Sequence, residues 1–190
     1  MFRLQLLLLI FTLGACASIQ GNAPLEMPER YLGYWSPVSN TLAGVGIDIQ
    51  PGVFYEKDDP DYYVDQGPDE LDIRYYTNYK VIHFDDTQVY LITEEHVTKE
   101  WVEKSSEISY EEYVKKGYAE PDYAYIRLFI EPDDLFPDQH FLDTDGYYCG
   151  LTEKDWHLPL HIHRERILTK YCETRPNAEY DHAGSGVWNR

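Results

Sequence analysis

Basic residues are scarce in this chain: 16 Lys and Arg stand against 34 Asp and Glu over 190 residues, a net charge of −18. That balance excludes a binder of phosphate backbones, which needs clustered Lys and Arg, and it removes electrostatic attraction to anionic lipid surfaces. No nucleic-acid partner is therefore expected. Long apolar runs are missing too. The one at residues 4–13 is interrupted by Gln5, and it is half of the roughly 20 residues that a bilayer-spanning helix requires. No Gly-x-Ser-x-Gly elbow is present, since Gly184-Ser185-Gly186 has the wrong spacing for one. There is no His-Glu-x-x-His motif and no repeat at a fixed period. Nothing points to an enzyme or to a cofactor.

What is present begins at the N-terminus, where Arg3, a short apolar core and the small residues Gly14 and Ala15 form the three parts of a secretory signal. The quartet Leu13-Gly14-Ala15-Cys16 resembles the lipobox of bacterial lipoproteins. The resemblance implies that the Cys16 thiol receives a diacylglyceryl group, that residues 1–15 are removed, and that the new amine is acylated. One acyl chain gives only marginal membrane binding, at about 0.8 kcal/mol per buried methylene, so several chains on one residue make the anchor stable. The alternative is an ordinary cleaved signal with Cys16 incidental. In the enterobacterial pattern an aspartate after the cysteine retains the protein at the inner membrane. Ala17 stands there, which implies an outer-membrane anchor in the cell envelope, with the periplasmic or surface face left open.

Losing the signal removes Arg3 alone among the charged residues, leaving 15 basic against 34 acidic residues, a charge of −19, on a chain long enough for one domain. With Cys16 lipidated, the other two cysteines, Cys149 and Cys172, form an even pair. Outside the cytoplasm that pair is expected to oxidise, for roughly 3 kcal/mol of stability. No thiol then remains as a nucleophile.

Residues 16–29 hold two prolines, a glycine and no periodic pattern, and read as a flexible tether. Residues 30–174 read as a β-rich domain, and 175–190 as a mobile polar tail until something packs on Trp188. Tyrosine is abundant, at 18 residues, and suits a half-buried pleated surface. Apolar residues alternate at Val45, Ile47 and Ile49 and again at Leu71, Ile73 and Tyr75, the period of a strand with one buried face. Further strands are expected at 31–36, 53–56, 80–84, 88–93, 123–130, 146–151 and 161–169. Turn clusters such as Gln50-Pro51-Gly52 and Asp85-Asp86 separate them. Eight to ten short antiparallel strands forming one barrel or sandwich, with one or two short helices, is the expected fold. Ser109 with Glu112 makes a capping box for a helix over 111–116 that stops at Gly117. Residues 93–104 fit a helix or a strand.

Gly33-Tyr34-Trp35 resembles the Gly-x-Trp opening of lipocalins, some of which are bacterial outer-membrane lipoproteins. The resemblance implies an eight-stranded barrel with Gly33 and Trp35 at its floor and an arginine stacked on the tryptophan, for which Arg164, Arg166 and Arg175 are equal candidates. His157, His161 and His163 form a second cluster. In a strand, positions 161 and 163 share a face, the spacing of zinc and copper sites, although His157 would have to fold back around Pro159 to complete the set. The acidic run Glu56-Lys57-Asp58-Asp59-Pro60-Asp61, with Asp65, Asp69, Glu70 and Asp72, offers oxygen ligands for calcium but reads first as solvated turns. Asp143-Thr144-Asp145-Gly146 fails as an EF-hand, because Phe141 and Thr152 fall at its first and twelfth positions.

Three functions follow. The first is a lipid-anchored, non-catalytic binding module for an apolar small molecule or an envelope protein. The second is a metal-binding protein or metal-dependent enzyme using the three histidines. The third is an acidic inhibitor that draws in a cationic partner such as lysozyme.

Overall fold

The computed structural model describes residues 23–37, 45–58, 73–132, 140–147, 150–169 and 182–189. Eight strands close into an antiparallel barrel in which each is bonded to its neighbours in sequence and the last returns to the first. They are β1 (Gly33–Pro37), β2 (Val45–Gln50), β3 (Val53–Asp58), β4 (Ile73–Phe84), β5 (Gln88–Val97), β6 (Asp122–Pro132), β7 (His140–Tyr147) and β8 (His182–Asn189). Among the described residues four short helices accompany them, more than the one or two expected: α1 (Lys99–Ser105) and α2 (Tyr110–Lys115) between β5 and β6, then α3 (Glu153–Trp156) and α4 (Leu160–Leu168) between β7 and β8.

The alternating pattern builds the wall as expected. Ile47 and Ile49 of β2, Val81 of β4, Leu91 of β5 and Leu142 of β7 point inward and are buried. Asp48 and Lys57 instead meet in an ion pair of 2.7 Å, flanked by partly exposed outward positions such as Asn78 and Glu94. The inward face is apolar and the outward face is suited to water. Among the described residues no helix is long and apolar enough to cross a membrane.

One end of the barrel is sealed by the segment before β1. Leu25 bridges to Val81 (N to O, 3.3 Å), and Met27 is buried against the core. A turn of 3-10 helix at Glu29–Tyr31 lays Tyr31 across the barrel end, where its hydroxyl donates to the Thr87 carbonyl at 3.2 Å. Arg30 Nη2 donates to the Asp85 carbonyl at 2.9 Å. Residues 25–29 therefore belong to the domain and not to a tether.

The β4–β5 turn that receives these bonds is held by the Asp85 carboxylate. It accepts from the hydroxyl and amide of Thr87 (2.7 and 2.8 Å) and from the side chain and amide of Gln88 (both 3.0 Å). These bonds hold Asp85 well below the usual carboxylate range.

Three expectations are corrected. Residues 161–169 are not a strand: Leu160–Leu168 is helix α4, packed on the outside of the barrel. The tail expected to be mobile supplies β8, which pairs with both β7 and β1 and closes the barrel. Glu56, Lys57 and Asp58 lie in β3 and not in a solvated turn; Asp59, Asp61, Asp65, Asp69, Glu70 and Asp72 lie outside the described residues. The open stretch 93–104 divides at Thr98. Strand β5 runs to Val97, and the Thr98 hydroxyl caps α1 by accepting from the Trp101 amide. Helix α2 forms as expected, with Ser109 accepting from the Glu112 amide at 3.3 Å and Gly117 turning out of the helix at φ +79°.

Helices α3 and α4 dock over an outer cluster of Ile82, Ile92 and Tyr125, joined by Leu151, Trp156 and Ile167. Ile82 is the extra residue of a bulge between Val81 and His83, which turns this side chain outward. Lys80 sits 3.8 Å from the Trp156 ring centre and donates to its carbonyl at 2.7 Å, and Arg164 Nε donates to the Ile82 carbonyl at 2.6 Å. Apolar burial of this kind contributes about 1.5–3 kcal/mol per large side chain.

Candidate functional site

Trp35 lies at the sealed end, 1% exposed, with its indole N–H donating to the Tyr31 carbonyl at 3.0 Å. Gly33, two residues earlier, has φ +106°, a backbone conformation that a side chain makes costly. The pair thus sits where a barrel floor is built. The expected arginine does not stack there: Arg164 reaches Ile82, and Arg166 pairs with Asp155 at 2.6 Å. Arg175 lies outside the described residues. The cation over an aromatic ring at this end is Arg30, 5.2 Å from the centre of Tyr31.

The histidines do not converge. His157 follows α3 and is exposed, while His161 and His163 lie on a helix, where a spacing of two residues places them on different faces. His161 is exposed; His163 is fully buried, its Nδ1 2.9 Å from the Tyr125 hydroxyl. Burial holds its pKa below the usual histidine value, helped by Arg166 and Lys80. His163 is therefore a neutral packing residue. Among the described residues no three His, Cys, Asp or Glu side chains gather closely enough to hold a metal ion. Cys16, Cys149 and Cys172 all lie outside the described residues.

The other end of the barrel is different in chemistry. Strands in a closed barrel tilt by roughly 35–45° from its axis, so rows of paired residues climb as they pass around it. The row that starts at Trp35 runs through Ile47 and Glu56 to Tyr75 and Val97. The next runs from Ile49 through Phe54 and Thr77 to Glu95 and Asp122. Each row leaves the apolar floor and reaches carboxylates on the same inner face. Glu56 and Glu95 flank β4 from either side. Neighbouring strands lie about 4.8 Å apart, so their backbones are roughly 10 Å apart and their side chains converge inward.

The inward residues at this end, Tyr75, Glu56, Glu95 and Val97, keep partial solvent access, whereas those near the floor are buried. Among the described residues the inner face is packed with buried side chains at one end and keeps partial exposure at the other. The mouth also has an irregular wall. At the bulge between Glu56 and Lys57, Arg74 is the extra residue on β4, and its charge partly offsets the burial that raises the Glu56 pKa. Burial also raises Glu95, to about 7, reinforced by repulsion from Glu56 and Asp122. Thr77, across from Glu95 on the inner face, is 1% exposed, and its hydroxyl has no hydrogen-bond partner among the described residues.

Helices α1 and α2 bring aromatic rings to the same rim. Trp101 packs on Tyr75 with ring centres 5.4 Å apart, and Tyr113 lies close enough to Tyr75 to affect its ionisation. The Tyr75 pKa is raised by burial first, then by Glu95 and Glu56.

Sequence reasoning named Glu56 only as part of an acidic run and passed over Glu95 and Thr77, although a signal was there. Glu95 shares its parity with Val89, Leu91 and Thr93, and Glu56 shares its parity with Phe54. A carboxylate on the buried register of a strand is costly unless it has a use. Compared with protein-family models, with curated proteins and with solved structures, the chain gives no significant match.

Proposed function

We propose that this chain is a lipid-anchored envelope lipoprotein whose barrel is a non-catalytic binding module that takes a small ligand at its open mouth. One observation carries the reading: the barrel is plugged with apolar side chains at the Trp35 end and lined at the other by partly accessible, incompletely satisfied polar groups. Binding sites commonly pair an apolar wall with a few placed polar groups, and the mouth of a small barrel is a usual place for one. The lipocalin resemblance gains support from Gly33 and Trp35 at the plugged end of an eight-strand barrel. The acidic-inhibitor reading rests on charge alone, and no particular surface of the fold favours it.

Two measurements test the proposal. Mass spectrometry of the mature chain is expected to show a lipidated N-terminus at Cys16, while Cys16→Ser yields unlipidated precursor or a soluble form. An unlipidated wild-type chain in the soluble fraction would remove the anchor. Displacement of a neutral fluorescent dye is expected to report one site per barrel; no binding of any small probe would remove the binding module.

A further inference from the structure

We propose that the ligand is a small organic ammonium ion, its nitrogen held between Glu56 and Glu95 with the Thr77 hydroxyl as a further acceptor. The inference rests on the reading of the mouth as a binding site, and goes beyond it in naming the ligand chemistry.

Three independent features point the same way. The first is charge. The charges that act on Glu95 are Glu56 from β3 and Asp122 from β6, while Arg74 of β4 acts on Glu56, and Tyr75 of β4 lies close enough to feel both glutamates and Tyr113 of α2. Among the described residues three carboxylates, Glu95 included, stand against one guanidinium, so when ionised they keep surplus negative charge. Glu95 relieves it by holding a proton up to about pH 7. A bound cation would take over that role.

The second is Thr77. A hydroxyl that is 1% exposed and has no partner among the described residues is rare in a folded protein. Thr77 shares the inner face with Tyr75 and stands directly across from Glu95. A ligand N–H donating to it would complete its bonding.

The third feature selects the kind of cation. Tyr75 and Trp101 place aromatic rings beside the carboxylates, and ring faces attract organic cations. Calcium instead asks for six to eight oxygens, and among the described residues no acidic cluster of three gathers for a metal.

The test uses the full-length lipidated protein in phosphatidylcholine nanodiscs and two probes with the same aromatic body: dansylcadaverine, a primary amine, and its neutral N-acetyl derivative. The amine is expected to bind at least about tenfold more tightly, the equivalent of one lost charge contact. Glu56→Gln with Glu95→Gln is expected to abolish that preference, and Thr77→Val to weaken binding of the amine. Because Glu95 must release its proton, amine affinity should fall by up to about tenfold per pH unit below 7. Equal binding of both probes would overturn the ammonium assignment and leave the binding module standing. Binding of neither would overturn both. Displacement of the amine by millimolar calcium, with calcium retained by the protein, would overturn it in favour of an inorganic ion.

Discussion

Trp35→Ala is expected to destabilise the folded chain by about 3–5 kcal/mol, the cost of emptying a large aromatic site in a packed core. Trp35 is surrounded at the barrel floor by Tyr31, Met27, Ile47, Ile49 and Leu142, all buried. The cavity left behind lies beneath the strap that seals this end, so the surrounding side chains cannot collapse without moving Tyr31. The indole also donates to the Tyr31 carbonyl, and Trp35→Phe, which loses that bond and part of the ring volume but keeps an aromatic ring, is expected to cost less than the alanine variant, about 1–3 kcal/mol. Urea unfolding followed by circular dichroism checks both values. A loss below about 1 kcal/mol for the alanine variant would mean that Trp35 is not a floor residue.

At the opposite end the expected effect has the other sign. Glu95 has a folded pKa of about 7 against an ordinary value of 4.5. Between those values the folded state binds more protons than the unfolded chain, so the contribution of Glu95 to stability is full in acid, declines as pH rises, and is lost above 7. The whole shift would correspond to about 3 kcal/mol at 1.36 kcal/mol per pH unit. Partial solvent access reduces this to about 1–2 kcal/mol. Glu95→Gln is thus expected to be more stable than the native chain by about 1–2 kcal/mol near pH 8 and indistinguishable from it near pH 4. Denaturant midpoints across that range check it. A variant that loses stability at every pH would show that the glutamate is a structural hydrogen-bonding residue.

Such a residue, stable only at a cost, is what separates the two ends of the barrel. Near Trp35 the inward side chains are apolar and buried. At the other end burial raises the pKa of Glu56 and Glu95, and the Thr77 hydroxyl has no partner among the described residues; polar groups placed so mark positions where a ligand can complete the chemistry.

The fold class was legible because period-two alternation reports directly on a wall with one buried face. Val45, Ile47 and Ile49 read correctly, as did the turn at Gln50-Pro51-Gly52, where Gly52 adopts φ +82°. Two elements were not legible. Residues 161–169 mix His, Arg and Ile without a clean period, and their helical state rests on packing over Ile82, Ile92 and Tyr125, which lie far away in sequence. Strand β8 contains Gly184 and Gly186, poor strand formers, and gains its state from pairing with β7 and β1. The site was half legible. Carboxylates on an inward register can be read from parity once strands are assigned, but the convergence of Glu56 and Glu95 depends on the order of three strands. Thr77 becomes notable only when its lack of a partner is seen.

The most direct test of carboxyls facing each other on the inner face, at the end of the barrel away from Trp35, is titration of the glutamate side chains by carbon-13 NMR. A carboxyl resonance titrating near pH 7 is expected to vanish from the spectrum of Glu95→Gln, while Glu56 also titrates above the ordinary glutamate range. If every glutamate titrates in the ordinary range of about 4 to 5, Glu95 does not face Glu56 inside the barrel, and the mouth is not the site described.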